Sequence, residues 1–170
     1  HQFGHTMIYV THDQTEALTF ADKVAVMYDG RVVQMGTPQQ LFETPEHTFV
    51  GYFIGSPGMN VLEATVTGDR AVVGGTEIPL GQSFGTPAGK VELGVRPEFA
   101  SLQSGKKGLP VTIKRIEDVG RHKIVRTDFQ GTEINIIAPE GAEILPDMNR
   151  VVFDTAGVNI YSDSWRVAPE

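Results

Sequence analysis

Apolar residues run without interruption from Met7 to Val10, and this pattern predicts a strand over residues 6–10 buried on both faces, as in a parallel sheet. The pattern then changes to helical spacing. Asp13 suits an N-cap, Glu16 three residues on completes a capping-box-like signal, and Ala17, Leu18 and Ala21 supply an apolar stripe. Two apolar-rich runs, 24–28 and 31–35, flank Asp29-Gly30, which predicts a β-hairpin. Thr37-Pro38 reads as a helix start, with Thr as cap and Pro at the first helical position, launching residues 39–43. Pro45 interrupts, and residues 47–54 resume a helical pattern whose Phe49, Val50, Phe53 and Ile54 form an apolar face suited to core packing.

Gly55-Ser56-Pro57-Gly58 places two glycines and a proline within four positions, which no helix continues through, and a domain boundary is expected there. Beyond Asn60 the pattern becomes short strands separated by Gly, Pro and Asp turns. Candidates are 61–67, 71–73, 76–79, 90–95, 109–118, 122–128, 132–137, 150–154 and 159–161. No long helix and no strong internal repeat appears in this half. The chain is therefore expected to be α+β overall, with an α/β portion over residues 1–55, a linker at 56–60 and a mainly β, OB-fold-like barrel over 61–170.

Composition narrows the function classes. A 170-residue chain with 40% hydrophobic and 21% charged residues can build a sizeable core. No apolar run approaches the ~20 residues a membrane-spanning helix requires, and no basic-then-apolar leader opens the sequence. The absence of cysteine excludes disulfides and thiolate metal sites and agrees with a reducing compartment. A net charge of -7 argues against nucleic acid as a partner, because that affinity rests on neutralising phosphates. Lys106-Lys107 reads as a solvated turn.

His12 stands where the predicted buried strand gives way to a helix. In open α/β sheets that edge binds ligands, and an imidazole there can donate to a terminal phosphate oxygen and orient an attacking water. The triplet Thr11-His12-Asp13 alone is weak evidence for this and better fits a histidine beside a helix cap. Arg96-Pro97-Glu98 ends a strand, and a structural ion pair fixing a turn is the expected role of its charges.

Other constellations fail on their own chemistry. Gly85-Thr86-Pro87-Ala88-Gly89-Lys90-Val91 imitates a phosphate loop, but its glycine spacing is one residue short and Val91 replaces the metal-binding hydroxyl. Gly81-Gln82-Ser83-Phe84-Gly85 matches a nucleophile elbow without the strand–turn–helix context, so a polar loop is expected. His1, His5, His12, His47 and His122 show no zinc-site spacing. Glu117-Asp118 reads as a solvated strand end.

The string Ile8-Tyr9-Val10-Thr11-His12-Asp13-Gln14-Thr15-Glu16-Ala17, with the later Asp29-Gly30-Arg31-Val32-Val33-Gln34-Met35-Gly36-Thr37-Pro38, closely resembles the switch-histidine region of ATP-binding-cassette (ABC) transporter ATPases of the sugar-importer class. Residues 49–60 resemble the junction between nucleotide-binding and regulatory domains in maltose- and glycerol-phosphate-type members. Gly94-Val95-Arg96-Pro97-Glu98 resembles a signature inside their regulatory barrel. The resemblance implies that residues 1–55 are the C-terminal fragment of a P-loop ATPase domain and that His12 is the switch histidine. It implies regulatory or structural roles for Gly55, Ser56, Pro57, Asn60, Arg96, Pro97 and Glu98. It further implies ATP and Mg²⁺ for the intact parent and none for this chain, which lacks the phosphate loop and catalytic Glu and is expected to be inactive alone. The implied partners are a second copy of the subunit and membrane-spanning permease subunits, at the inner face of the cell membrane. The rival reading is a stand-alone OB-like module binding a small oxyanion or saccharide, for which Arg115, Arg121 and Arg126 are the nearest candidates.

Overall fold

The computed structural model describes residues 6–170; His1 and His5 lie outside the described residues. Residues 6–10 form no strand, contrary to the expectation of a buried one. Met7, Ile8 and Val10 are 86%, 87% and 89% exposed. A parallel strand forms only against neighbouring strands, and none of the described residues pairs with this segment.

Helix α1 (Gln14–Phe20) follows, capped by the Asp13 carboxylate, which accepts from Thr15 N–H and Glu16 N–H. The reciprocal half of the expected capping box is absent. Glu16 instead accepts from the Thr11 and Tyr9 hydroxyls at 3.0 and 3.2 Å, and Asp13 N–H donates to Thr11 Oγ1. The hairpin β1 (Val24–Tyr28) and β2 (Arg31–Gly36) forms as its turn residues dictate. Asp29 and Gly30 both adopt positive φ, the type I′ geometry that matches strand twist. Helix α2 (Pro38–Glu43) has a complete capping box between Thr37 and Gln40. Helix α3 (Thr48–Phe53) begins one residue later than the pattern predicts, because His47 is its cap rather than its first residue. Val26, Leu41, Val50 and Ile54 make a small buried cluster beneath these elements, with Leu18 of α1 packed on its edge.

The second half is strands throughout, apart from two short 3-10 turns. The predicted 61–67 strand divides at Ala64 into β3 (Asn60–Glu63) and β4 (Thr65–Thr67). Strands β5 (Arg70–Val73) and β6 (Thr76–Pro79) complete a meander with β4. Strand β7 (Val91–Val95) is buried at every position, and a 3-10 turn (Pro97–Phe99) leads into β8 (Ala100–Gln103), which the pattern does not reveal. The predicted 109–118 strand divides at Val111, whose N–H turns to Asn149, giving β9 (Leu109–Pro110) and β10 (Thr112–Asp118). Then come β11 (His122–Phe129), β12 (Thr132–Pro139), β13 (Arg150–Phe153), β14 (Val158–Ser162) and β15 (Trp165–Arg166).

The antiparallel sheets run β10-β11-β12, β8-β13-β9, β4-β5-β6 and β15-β14-β7-β3. Their inner faces share one core, in which Leu93, Leu109, Ile134 and Ile160 are completely buried. This is an OB-like barrel with added strands. The short β15 also forms a bridge from Trp165 to His47, while Thr48 N–H donates to Ser164 C=O and Arg166 N–H to Glu46 C=O. The sheet thereby extends onto the segment that precedes α3.

Candidate functional site

His12 is solvent-exposed between Thr11 and Asp13, and its ring makes no hydrogen bond among the described residues. Its backbone is nevertheless fixed. Thr11 and Tyr9 on one side are tied through Glu16, and Asp13 caps α1 on the other. The adjacent Glu16 carboxylate raises the Tyr9 hydroxyl above its ordinary value. The histidine therefore stands one residue before the cap of α1, with a ring that makes no hydrogen bond among the described residues.

Gln14, one residue past the cap, is not singled out by the sequence pattern. Its Oε1 accepts from Gly55 N–H at 2.8 Å, and its Nε2 lies 3.5 Å from Gly55 C=O. Gly55 has φ +118, and a Cβ there would meet Arg96 Nη1 at 3.0 Å, so both backbone and space require glycine. Ser56 and Pro57 follow, joined by a cis peptide bond.

Arg96 corrects the expected ion pair. Glu98 is exposed and makes no salt bridge with it, whereas Arg96 is only 4% exposed. Its guanidinium reaches into the first half of the chain. Nε donates to Phe42 C=O at 2.6 Å, Nη1 to Ile54 C=O at 2.6 Å and Gly51 C=O at 3.3 Å, and Nη2 to Leu41 C=O at 3.5 Å. The acceptors are last-turn carbonyls of α2 and α3 and that of the α3 C-cap Ile54, which have no partners within their own helices, although Gly51 C=O also accepts from Met59 N–H. One side chain on the barrel thus closes the C-terminal ends of two helices, where a cation is favoured. The guanidinium also lies 3.9 Å from the Phe42 ring centroid. Burial pulls its pKa down to about 10, opposed in part by the Glu98 carboxylate, so it still carries its charge at neutral pH. Pro97 opens the 3-10 turn and holds Arg96 in extended backbone.

Asn60, at the start of β3, is buried and pairs both ways with the Asn135 backbone, donating to its C=O at 2.9 Å and accepting from its N–H at 2.8 Å. Its carboxamide stands in for a missing residue of sheet ladder. Tyr161, fully buried, donates from its hydroxyl to Pro45 C=O at 2.9 Å, and burial pushes that hydroxyl far above its ordinary range. Gly94 on β7 leaves room for the Tyr161 ring and Met59, which a Cβ would strike at 2.6 and 2.8 Å. Beside them His47, with Nδ1 accepting from Phe49 N–H, meets Trp165 edge-on at 4.8 Å.

The arginines proposed for an oxyanion do not converge. Arg126 is committed to Glu117, Glu133 and Asn135, and Arg115 also turns to Glu117. Glu117 is thus paired rather than simply solvated, and the Arg126 hydrogen bond holds its carboxyl below the usual range. Arg121 is exposed at the neighbouring turn. Among the described residues no group of three His, Asp or Glu side chains could hold a metal ion, and no helix is long and apolar enough to cross a membrane.

Residues 55–99 match the family described as the MalK OB fold domain. The chain is 39% identical over 146 residues to the uncharacterized ABC transporter ATP-binding protein y4oS of Sinorhizobium fredii, covering 83% of this chain and 39% of that protein. It is 34% identical over 174 residues to the sn-glycerol-3-phosphate import ATP-binding protein UgpC 1 of Rhizobium johnstonii, covering 98% and 47%. It is 33% identical over 168 residues to the sulfoquinovosyl glycerol transport ATP-binding protein SmoE of Agrobacterium fabrum, covering 94% and 47%. The chain spans less than half the length of these relatives. Among solved structures, the molybdate-bound cytoplasmic protein ModG overlays 61% of this chain and 95% of its own at a TM-score of 0.44 and 18% identity, a likeness too weak to bear on function. Over most of its own length the chain is thus similar to part of the ATP-binding proteins of ABC transporters, and residues 55–99 carry the match to the MalK OB fold domain.

Proposed function

We propose that this chain supplies the switch histidine and the regulatory barrel of an ABC-importer ATP-binding subunit that energises uptake of a sugar, polyol or glycerol phosphate. The observation that carries the reading is His12, exposed and unbonded at the capped start of α1 within a string shared with that family. In the intact subunit its imidazole donates to the terminal phosphate of ATP and orients the attacking water. The described residues do not fit Mg²⁺, since they offer no cluster of hard ligands, and no step through the ion is assigned to them. Two copies of the subunit act together against two membrane-spanning partners at the inner membrane face. Residues 1–55 belong to the ATPase domain and 61–170 to the regulatory domain, with structural roles for Gly55, Ser56, Pro57, Arg96 and Pro97 at their junction and for Asn60 and Glu98 on the barrel side.

A chimera tests this. Fused behind the phosphate-loop half of a glycerol-phosphate import ATP-binding protein, the chain is expected to restore ATP hydrolysis, and His12→Ala to remove nearly all turnover while nucleotide still binds. Turnover in the His12→Ala chimera equal to that of the unsubstituted chimera defeats the assignment.

A further inference from the structure

Helix α1 buries none of its residues completely. Its tertiary ties among the described residues are the partial packing of Leu18 and the two contacts of Gln14 with Gly55. The carbonyl just before Gly55, that of Ile54, is held by Arg96 Nη1 at 2.6 Å. Gly55 has no side chain to intervene between the carboxamide and the guanidinium. Gln14, the Ile54–Gly55 peptide and Arg96 therefore form an unbroken polar chain from the helix beside His12 to the end of β7.

We propose that Gln14 is a positioning residue through which the barrel, acting by Arg96, sets the orientation of α1 and with it His12. The inference rests on the reading of His12 as a phosphate contact, but the chain of contacts stands on its own geometry. A carboxamide is required because Gly55 offers it one donor, its N–H, and one acceptor, its C=O. Glutamate retains the bond from Gly55 N–H but sets a negative charge against Gly55 C=O. Arginine is required on the barrel side because its planar fork reaches Phe42, Gly51 and Ile54 at once. A shift at either end moves the shared peptide, so a perturbation at Arg96 is felt at Gln14 and the reverse, with equal coupling.

Solvent-exchange NMR of the 170-residue chain tests this without nucleotide, so its failure leaves the His12 assignment standing, and failure of the chimera leaves this coupling standing. In Arg96→Lys the Ala17 and Ala21 amides, which donate to Asp13 C=O and Ala17 C=O, are expected to exchange about fivefold faster, the loss of roughly one net hydrogen bond. Amides of β12 keep their wild-type rates and report that the barrel remains folded. Gln14→Ala gives the same acceleration, and adding Arg96→Lys to it gives no further change at Ala17. Wild-type exchange at Ala17 in Arg96→Lys, or full additivity in the double variant, overturns the proposal. Should Arg96→Lys lose β12 protection, Gln14→Ala is read in reverse. The Arg96 Nε–H then exchanges about fivefold faster, and an unchanged rate overturns the proposal.

Discussion

Arg96 Nη1 lies 2.6 Å from the Ile54 carbonyl oxygen, across the boundary that Gly55-Ser56-Pro57-Gly58 marks in the sequence. A glycine- and proline-rich stretch commonly signals a loose linker. Here it is clamped, because the barrel inserts a charged side chain among the free carbonyls of α2 and α3. The small cluster around Leu41 and Val50 is correspondingly completed from outside, by Arg96, by the Tyr161 hydroxyl on Pro45 and by β15 beside His47.

Replacing Arg96 by Met keeps much of the aliphatic bulk but leaves the Leu41, Phe42 and Ile54 carbonyls without a donor, while Gly51 C=O keeps Met59 N–H. Each unsatisfied buried acceptor costs about 1–3 kcal/mol, partly relieved by relaxation, so a loss of roughly 3 kcal/mol is expected. Urea unfolding is expected to show either a lower midpoint or an early transition of the first half alone. A midpoint within 0.5 M of wild type, roughly the scatter of a neutral surface change, contradicts the assigned role.

Asn60 offers a test with a pH signature. Asn60→Asp keeps the acceptor for Asn135 N–H but replaces the donor with a carboxylate facing Asn135 C=O in a buried site. Burial raises the folded-state pKa of such an acid above its unfolded value near 3.9. The protonated acid can donate as the amide did, so the variant is expected to be nearest wild type at pH 4 and to lose stability as pH rises toward 7. Asn60→Ala is expected to lose about 2 kcal/mol without that pH dependence. Thermal unfolding of both variants at pH 4 and pH 7 distinguishes the cases, and identical pH profiles count against the paired geometry.

The uneven legibility of this chain follows from the range of the forces involved. Asp29-Gly30 and Thr37-Pro38 announce their turn and helix start because φ preference and capping act within a few residues. The Asp13 cap beside His12 is legible for the same reason. Arg96 is misread as half of a surface pair because its real acceptors are 42–55 residues away and are backbone carbonyls, which no pattern of side chains reveals. Trp165 and Arg166 form too short a strand to show alternation, and beyond their pairing with β14 the bridge from Trp165 runs to distant His47. The run at 6–10 has the composition of a buried strand, but burial is a property of neighbours, and the described residues provide none.

His47 makes the seam sensitive to acid. Its Nδ1 accepts from Phe49 N–H, which a doubly protonated ring cannot do, and burial holds the imidazole below its ordinary value, opposed in part by the Glu92 carboxylate. The unfolded chain takes up its proton near pH 6.5 while the folded chain resists, so this contribution is complete above that pH and shrinks as pH falls below it. His47→Asn preserves a capping acceptor that does not titrate. Between pH 7.5 and 5 the wild type is expected to lose about 1 kcal/mol more than His47→Asn, a figure of capping size, measured by urea midpoints. Equal losses in the two proteins show that other groups carry the pH dependence.

His12 separates function from stability most sharply. Its ring is exposed and makes no hydrogen bond among the described residues, so truncation removes no packing and strands no partner. Because the Asp13 cap and the Glu16 ties use neighbouring side chains, α1 survives the change. His12→Ala is therefore expected to alter the unfolding free energy of the 170-residue chain by less than about 0.5 kcal/mol, while in the chimera it removes turnover. Asp13→Ala is expected to do the converse, costing about 1 kcal/mol of local helix stability through the lost cap and reducing turnover only as far as α1 frays. Circular dichroism melts of both variants, set beside ATP hydrolysis by the matching chimeras, read the two effects separately. A destabilised His12→Ala chain means that the imidazole has a structural partner and is not free to meet a phosphate.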